Sequence, residues 1–238
     1  MSDELADGVW RDAASRGDLW ARLLAHRQPR TAAEIGVWRG DFAAPLLRAT
    51  PSIERYVMID PWQPLDDWNK PWNVSAPEFE EIYAAALAAT DFAAARRQVL
   101  RGRTLEVIDQ VADASLDFIY VDGDHTLRGV AIDLIASWPK LASGGWLGGD
   151  DFGQGIWQHS ARFEPTLVFP FAVHFAEAVG ARIWALPFSQ CLIEKPPPGE
   201  RAFAFIDLSG GHADRSLLPQ LTGWPAIRRT LSAMLGRG

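Results

Sequence analysis

The chain has 238 residues, 48% of them hydrophobic and 22% charged, with a formal net charge of −7. That is enough chain for a sizeable α/β core, and the balance is that of a folded protein. A net negative charge without any Lys/Arg-rich run argues against nucleic acid or an anionic membrane as the main partner.

The opening residues, Met1-Ser-Asp-Glu-Leu-Ala-Asp, are acidic and lack the charged-then-apolar pattern of a secretory signal. No apolar run approaches the ~20 residues needed to cross a bilayer. The single cysteine, Cys191, lies in the apolar segment Gln190-Cys-Leu-Ile193 and reads as a buried structural thiol. The expectation is a soluble, cytoplasmic protein.

In chain order, a short helix from about Asp18 to His26 places Leu19, Leu23 and Leu24 on one face. Thr31–Trp38 reads as a strand that breaks at glycine, after which Asp41 is placed to cap a helix reaching Ala49. The strand Tyr56–Asp60 ends at Pro61, which holds its predecessor extended. An aromatic-rich insertion follows over 61–90. It carries Trp62, Trp68 and Trp72, then a capping box at Ser75 and Glu78 before a helix.

A short helix from Asp91 leads to the strand Gln98–Arg101, and Thr104 is a candidate cap for the helix after it. Leu116 to Val121 reads as a fully buried central strand. Leu127, Val130, Leu134 and Trp138 form a helical stripe, and Trp146–Gly149 is the next strand. Pro170 starts a helix that Gly180 stops. Arg182–Leu186 and Cys191–Lys195 pair antiparallel, Ala202–Asp207 is a candidate edge strand, and Leu217–Leu235 is a helical tail.

Alternating strands and helices predict a doubly wound, mostly parallel sheet closed by an antiparallel hairpin. Residues 1–30 form an N-terminal extension, 31–196 the α/β domain and 197–238 a C-terminal extension, a candidate surface for a homo-oligomer.

Three constellations carry chemistry. Glu34-Ile-Gly36-Val37-Trp38-Arg-Gly40 sits at the first strand-to-helix turn, where glycines let a ligand approach the backbone. Trp38 stands where a dinucleotide fingerprint needs a glycine, so a nucleoside without a diphosphate fits better than NAD. Asp60 is placed for ribose hydroxyls. Gly102-Arg103-Thr104 would face the adenine side, or form a turn and cap, or both. The third set is Asp122, Asp124, His125, Asp150 and Asp151 at two neighbouring strand ends. Crowded carboxylates repel one another, and a divalent ion on Asp122, Asp150 and Asp151 would resolve that. Asp124 reads equally as a base or a helix cap. Gly148 and Gly149 admit a ligand or close packing, His174 is structural, and His159 can reach the site from an irregular loop.

Together these residues resemble a class I S-adenosylmethionine-dependent methyltransferase of the bacterial family 24 type, over roughly Ala32 to Lys195. The motif from Glu34 to Gly40, Asp60, Asp117–His125, Pro139–Gly145, Asp150-Asp151-Phe152 and Cys191–Lys195 carry the likeness. The resemblance implies a Rossmann-like sheet of seven strands. It implies S-adenosylmethionine held by the loop residues, Asp60, the Gly102 segment and Asp122, and magnesium on Asp122, Asp150 and Asp151. Asp124, or His125, would take the proton from the hydroxyl of a small-molecule acceptor such as a sugar or phenol. The competing readings are a metal-independent N- or C-methyltransferase and an NAD-dependent oxidoreductase.

Overall fold

A computed structural model describes residues 8–160 and 162–212, together with Leu5, Ile227 and Leu231. Apart from those last two residues, the tail expected over Leu217–Leu235 lies outside the described residues. The elements run α1 (Arg16–Arg27), β1 (Thr31–Ile35), α2 (Ala43–Ala49), β2 (Arg55–Asp60), α3 (Ala76–Ala89), β3 (Arg97–Arg101), α4 (Thr104–Val107), β4 (Leu116–Val121), α5 (Leu127–Ser137), β5 (Leu141–Gly149), α6 (Val168–Val179), β6 (Arg182–Leu186), β7 (Gln190–Glu194) and β8 (Ala204–Asp207).

One eight-stranded sheet has the order β3-β2-β1-β4-β5-β7-β6-β8. Seven strands were expected; the eighth, β8, pairs parallel with β6 and continues the edge. The antiparallel closure is present, because β7 runs against both β5 and β6.

The central strands are apolar on both faces, so each face needs a cover. Strand periodicity divides β4 beyond an irregularity between Leu116 and Phe118: Ile119 and Val121 enter one core, Phe118 and Tyr120 the other. Leu19, Leu23 and Leu24 of α1, Leu46 and Leu47 of α2, and Phe79 and Ile82 of α3 cover the second face. Val130 and Leu134 of α5 and Val173 and Ala176 of α6 cover the first. Among the described residues no helix is long and apolar enough to cross a membrane.

Several helix ends differ from the sequence reading. Phe42, not Asp41, precedes α2 and makes no side-chain cap. Thr104 is the first residue of α4 rather than its cap, and its hydroxyl donates to buried Asp133 Oδ1 at 2.6 Å. Thr126 caps α5, accepting from Gly129 N at 3.1 Å. The capping box of α3 forms as expected, with Ser75 N donating to Glu78 Oε2 at 3.0 Å. Helix α6 begins two residues before Pro170, which is tolerated in a first turn. Gly180 then closes it in a left-handed conformation, φ 70°.

Candidate active site

The strand order reverses between β1 and β4, and a crevice opens at their carboxyl ends, as it does in open α/β sheets. Gly36 makes that junction possible. Its φ is +86°, and a Cβ built there would lie 2.1 Å from the Asp122 carbonyl oxygen. Above the crevice is a cleft of about 880 Å³. It brings together the loop after β1, Asp60, the Gly102 segment, the end of β4, and Asp150 and Asp151.

The cofactor half is built from turned-in loops. Asp60 is buried, and its two carboxylate oxygens accept from Trp38 N at 3.0 Å and Trp62 N at 2.8 Å. Burial pushes its pKa up to about 6, although those backbone donors pull the other way. Trp62 Nε1 donates to the Trp38 carbonyl at 2.8 Å, so the loops after β1 and β2 are stitched to each other. Glu34 is buried beneath the loop and accepts from Tyr56 OH at 2.6 Å. Burial drives the Glu34 carboxyl well above the usual range.

Three residues around the cleft hold positive φ without being glycine: Trp38 (53°), Trp62 (41°) and Asp151 (55°). Each costs of order 1 kcal/mol or more, and such strain clusters at functional sites. Leu105 and Trp72 line the cleft yet stay 62% and 57% exposed, apolar surface available to a ligand. Trp62 is fully buried and packs the insertion down, whereas Trp68 and Trp72 form cleft wall. Lys70 Nζ donates to the Glu164 carbonyl at 2.8 Å, tying the insertion to the segment after β5.

Gly102 and Arg103 sit at the cleft mouth, but their bonds are structural. A Cβ on Gly102 would meet Val107 at 2.5 Å, and Arg103 Nη2 donates to Asp67 Oδ1 at 2.7 Å. His159 lines the cleft, while His174 is exposed beside Glu177 on α6.

At the other end the acids converge, and cations of the chain itself stand among them. Arg16 Nη1, on the first residue of α1, donates to Asp122 Oδ2 at 2.8 Å and also to Asp150 Oδ2. His125 Nδ1 lies 2.6 Å from Asp151 Oδ2. His125 Nε2 is shut away from solvent without a directed hydrogen bond, 3.3 Å from Asp122 Oδ1. Burial alone would lower the His125 pKa; the Asp122 and Asp151 carboxylates outweigh it and push it up to about 10. Desolvation, with the Asp122 charge beside it, raises Asp150 to about 6.

The expected metal set does not assemble in this arrangement. Asp122 and Asp150 aim their Oδ2 atoms at a guanidinium nitrogen, and Asp151 turns to His125. Among the described residues no group of three His, Cys, Asp or Glu side chains is arranged to hold an ion. Asp124 is taken up by donors: Trp68 Nε1 at 3.1 Å, Thr126 N at 2.9 Å and Thr126 Oγ1 at 2.9 Å. It therefore props the cap of α5 and pins the insertion.

Gly148 and Gly149 serve packing. A Cβ on Gly148 would lie 2.4 Å from Trp20, and one on Gly149 would lie 3.1 Å from Cys191 Sγ. Arg16 and Gln190 were not singled out in the sequence. Gln190 is fully buried and joins Trp20, Tyr120 and Asp150 through its amide.

The model of a family described as a methyltransferase domain matches residues 33–152. The structure is similar to the S-adenosylhomocysteine-bound Podospora anserina methyltransferase PaMTH1, at 17% identity and TM-score 0.53, covering 76% of this chain and 78% of that one. It is also similar to the O-methyltransferase TomG of Streptomyces achromogenes in complex with S-adenosylmethionine, at 18% identity and TM-score 0.52, covering 83% and 91%. An O-methyltransferase from Bacillus cereus, at 17% identity and TM-score 0.53, covers 81% and 87%. At these identities the likeness is one of fold. No curated protein matches the chain in sequence.

Proposed function

We propose that this chain, which belongs to the methyltransferase domain family and is an S-adenosylmethionine-dependent methyltransferase, methylates a hydroxyl of a small molecule. The observation that carries this reading is the pair His125 Nε2 and Asp122 Oδ1, 3.3 Å apart at the reaction end of the cleft. Asp122 lines the cleft, so its Oδ1 can accept from a hydroxyl there while the closed-off His125 Nε2 holds that carboxylate in place.

The residues fit the cofactor. The glycine turn at Gly36 opens the crevice, Leu105 offers an apolar face to a base, and Asp60 ends β2 where ribose hydroxyls are read. S-adenosylmethionine supplies an electrophilic methyl group on a sulfonium. Four carboxylates, Asp122, Asp124, Asp150 and Asp151, outnumber Arg16 and His125⁺ and leave this end net negative, which suits a cationic donor.

In this reading His125, itself oriented by Asp151 at Nδ1, positions Asp122, and Asp122 Oδ1 takes the hydroxyl proton. The oxygen–carbon bond forms as the sulfur–carbon bond breaks with its electron pair on sulfur. The released proton replaces the charge lost from the cofactor. Asp124 is a positioning residue. The donor set as arranged does not fit a divalent ion, and no step is assigned to one. Two O-methyltransferases of the same fold, from Streptomyces achromogenes and Bacillus cereus, support the choice of oxygen.

The test is a panel of hydroxylated metabolites with mass spectrometry of the product. A methyl ether is expected. His125→Gln should lower turnover roughly 10²-fold, the scale of a slightly misplaced reacting group. Its binding of S-adenosylhomocysteine by calorimetry should be unchanged. A product methylated on nitrogen or carbon overturns the reading.

A further inference from the structure

We infer that Arg16 is the built-in cation of the site, doing for Asp122 and Asp150 what a divalent ion does for such carboxylates, so that methyl transfer proceeds without a metal. This rests on the hydroxyl-acceptor reading above.

Two carboxylates at adjacent strand ends repel each other unless a positive charge lies between them. Here that charge is a single nitrogen, Arg16 Nη1, within hydrogen-bonding distance of Asp122 Oδ2 and Asp150 Oδ2. An ion bound by the same two oxygens would need the space this nitrogen fills. Arginine keeps its charge at every physiological pH and has a planar donor fork matched to carboxylates.

The placement is built rather than incidental. Helix α1 starts at Arg16 because Ser15 Oγ accepts from Asp18 N at 3.2 Å, while Asp18 Oδ2 accepts from Ala14 N at 2.9 Å. One turn on, Trp20 is fully buried and donates through Nε1 to Gln190 Oε1 at 2.8 Å. Gln190 in turn donates to the same Asp150 that Arg16 holds. The guanidinium also lies over Phe42, 5.7 Å from its centroid, and Phe42 stacks on Tyr120.

The role is positioning. With Asp122 Oδ2 held by Arg16, Oδ1 stays directed at the hydroxyl and His125.

The experiment follows Mn²⁺ by electron paramagnetic resonance in the wild type, Arg16→Ala and Arg16→Lys, alongside turnover with and without chelator. The wild type should retain no Mn²⁺ and turn over equally in excess chelator. Arg16→Ala should acquire a Mn²⁺ site and lose roughly 10²-fold in kcat with KM little changed, the scale of a 1 Å misplacement. Added Mn²⁺ should restore part of that loss, and Arg16→Lys should keep more activity than Arg16→Ala. Binding of S-adenosylhomocysteine by each variant establishes that it is folded. Stoichiometric Mn²⁺ in the wild type, or a folded Arg16→Ala that gains no Mn²⁺ site, overturns the inference. Those resonance results do not depend on the acceptor, so a failed hydroxyl-acceptor reading shows separately, in the product.

Discussion

The indole of Trp20 occupies the space that a side chain on Gly148 would need: Trp20 Cη2 lies 2.4 Å from the ideal Cβ position. Helix α1 can therefore lie against β5 because that strand carries no Cβ at this point. Gly148→Ala should force the indole, and Arg16 with it, away from Asp150. Overpacking of this kind costs about 1–3 kcal/mol. The expected result is a lower melting temperature by calorimetry and a fall in kcat larger than any change in S-adenosylhomocysteine affinity. An unchanged melting temperature would show that the helix does not depend on the missing Cβ.

Much of the frame was legible in the chain. The buried run of β4, the glycine break after β1 and the Pro61 stop after β2 are local signals, and local signals survive folding. The Asp122–His125 and Asp150–Asp151 strand ends were legible for the same reason, since neighbouring parallel strands end together. What pairs with those acids was not. Arg16 lies 106 residues from Asp122, with no periodicity to mark it. The metal expectation followed from counting carboxylates without the guanidinium between them. Thr104 and Asp124 resembled caps because short polar residues before helices usually are; tertiary partners, Asp133 and Trp68, claimed them instead.

Asp124 and Gly129 form a second close fit. A Cβ on Gly129 would lie 2.2 Å from Asp124 Cγ, inside α5. Alanine gains about 1 kcal/mol over glycine in a helix interior. A clash at this distance exceeds that gain and must expel the Asp124 side chain, releasing its bond from Trp68 Nε1. Gly129→Ala should thus loosen the insertion over 61–75. Faster amide exchange across those residues, with α5 still protected, is the expected readout; unchanged exchange would mean that Asp124 does not pin the insertion.

Asp133 links stability to pH. It is 5% exposed, and burial raises its pKa to about 7 against the partly offsetting hydrogen bond from Thr104. Asp124 nearby adds to the rise and His125 opposes it. The folded state therefore holds this proton more tightly than the unfolded chain, where an aspartate titrates near ~3.9. Its contribution is most favourable below about pH 4 and is lost as pH rises through about 7. A tenfold difference in proton affinity is worth ~1.4 kcal/mol, so the loss has a ceiling of a few kcal/mol. Asp133→Asn stays neutral and can still accept from the Thr104 hydroxyl. Its stability in urea relative to the wild type should rise steadily between pH 4.5 and pH 8. A difference that stays flat across that range would show that Asp133 is ionised in the fold at no cost.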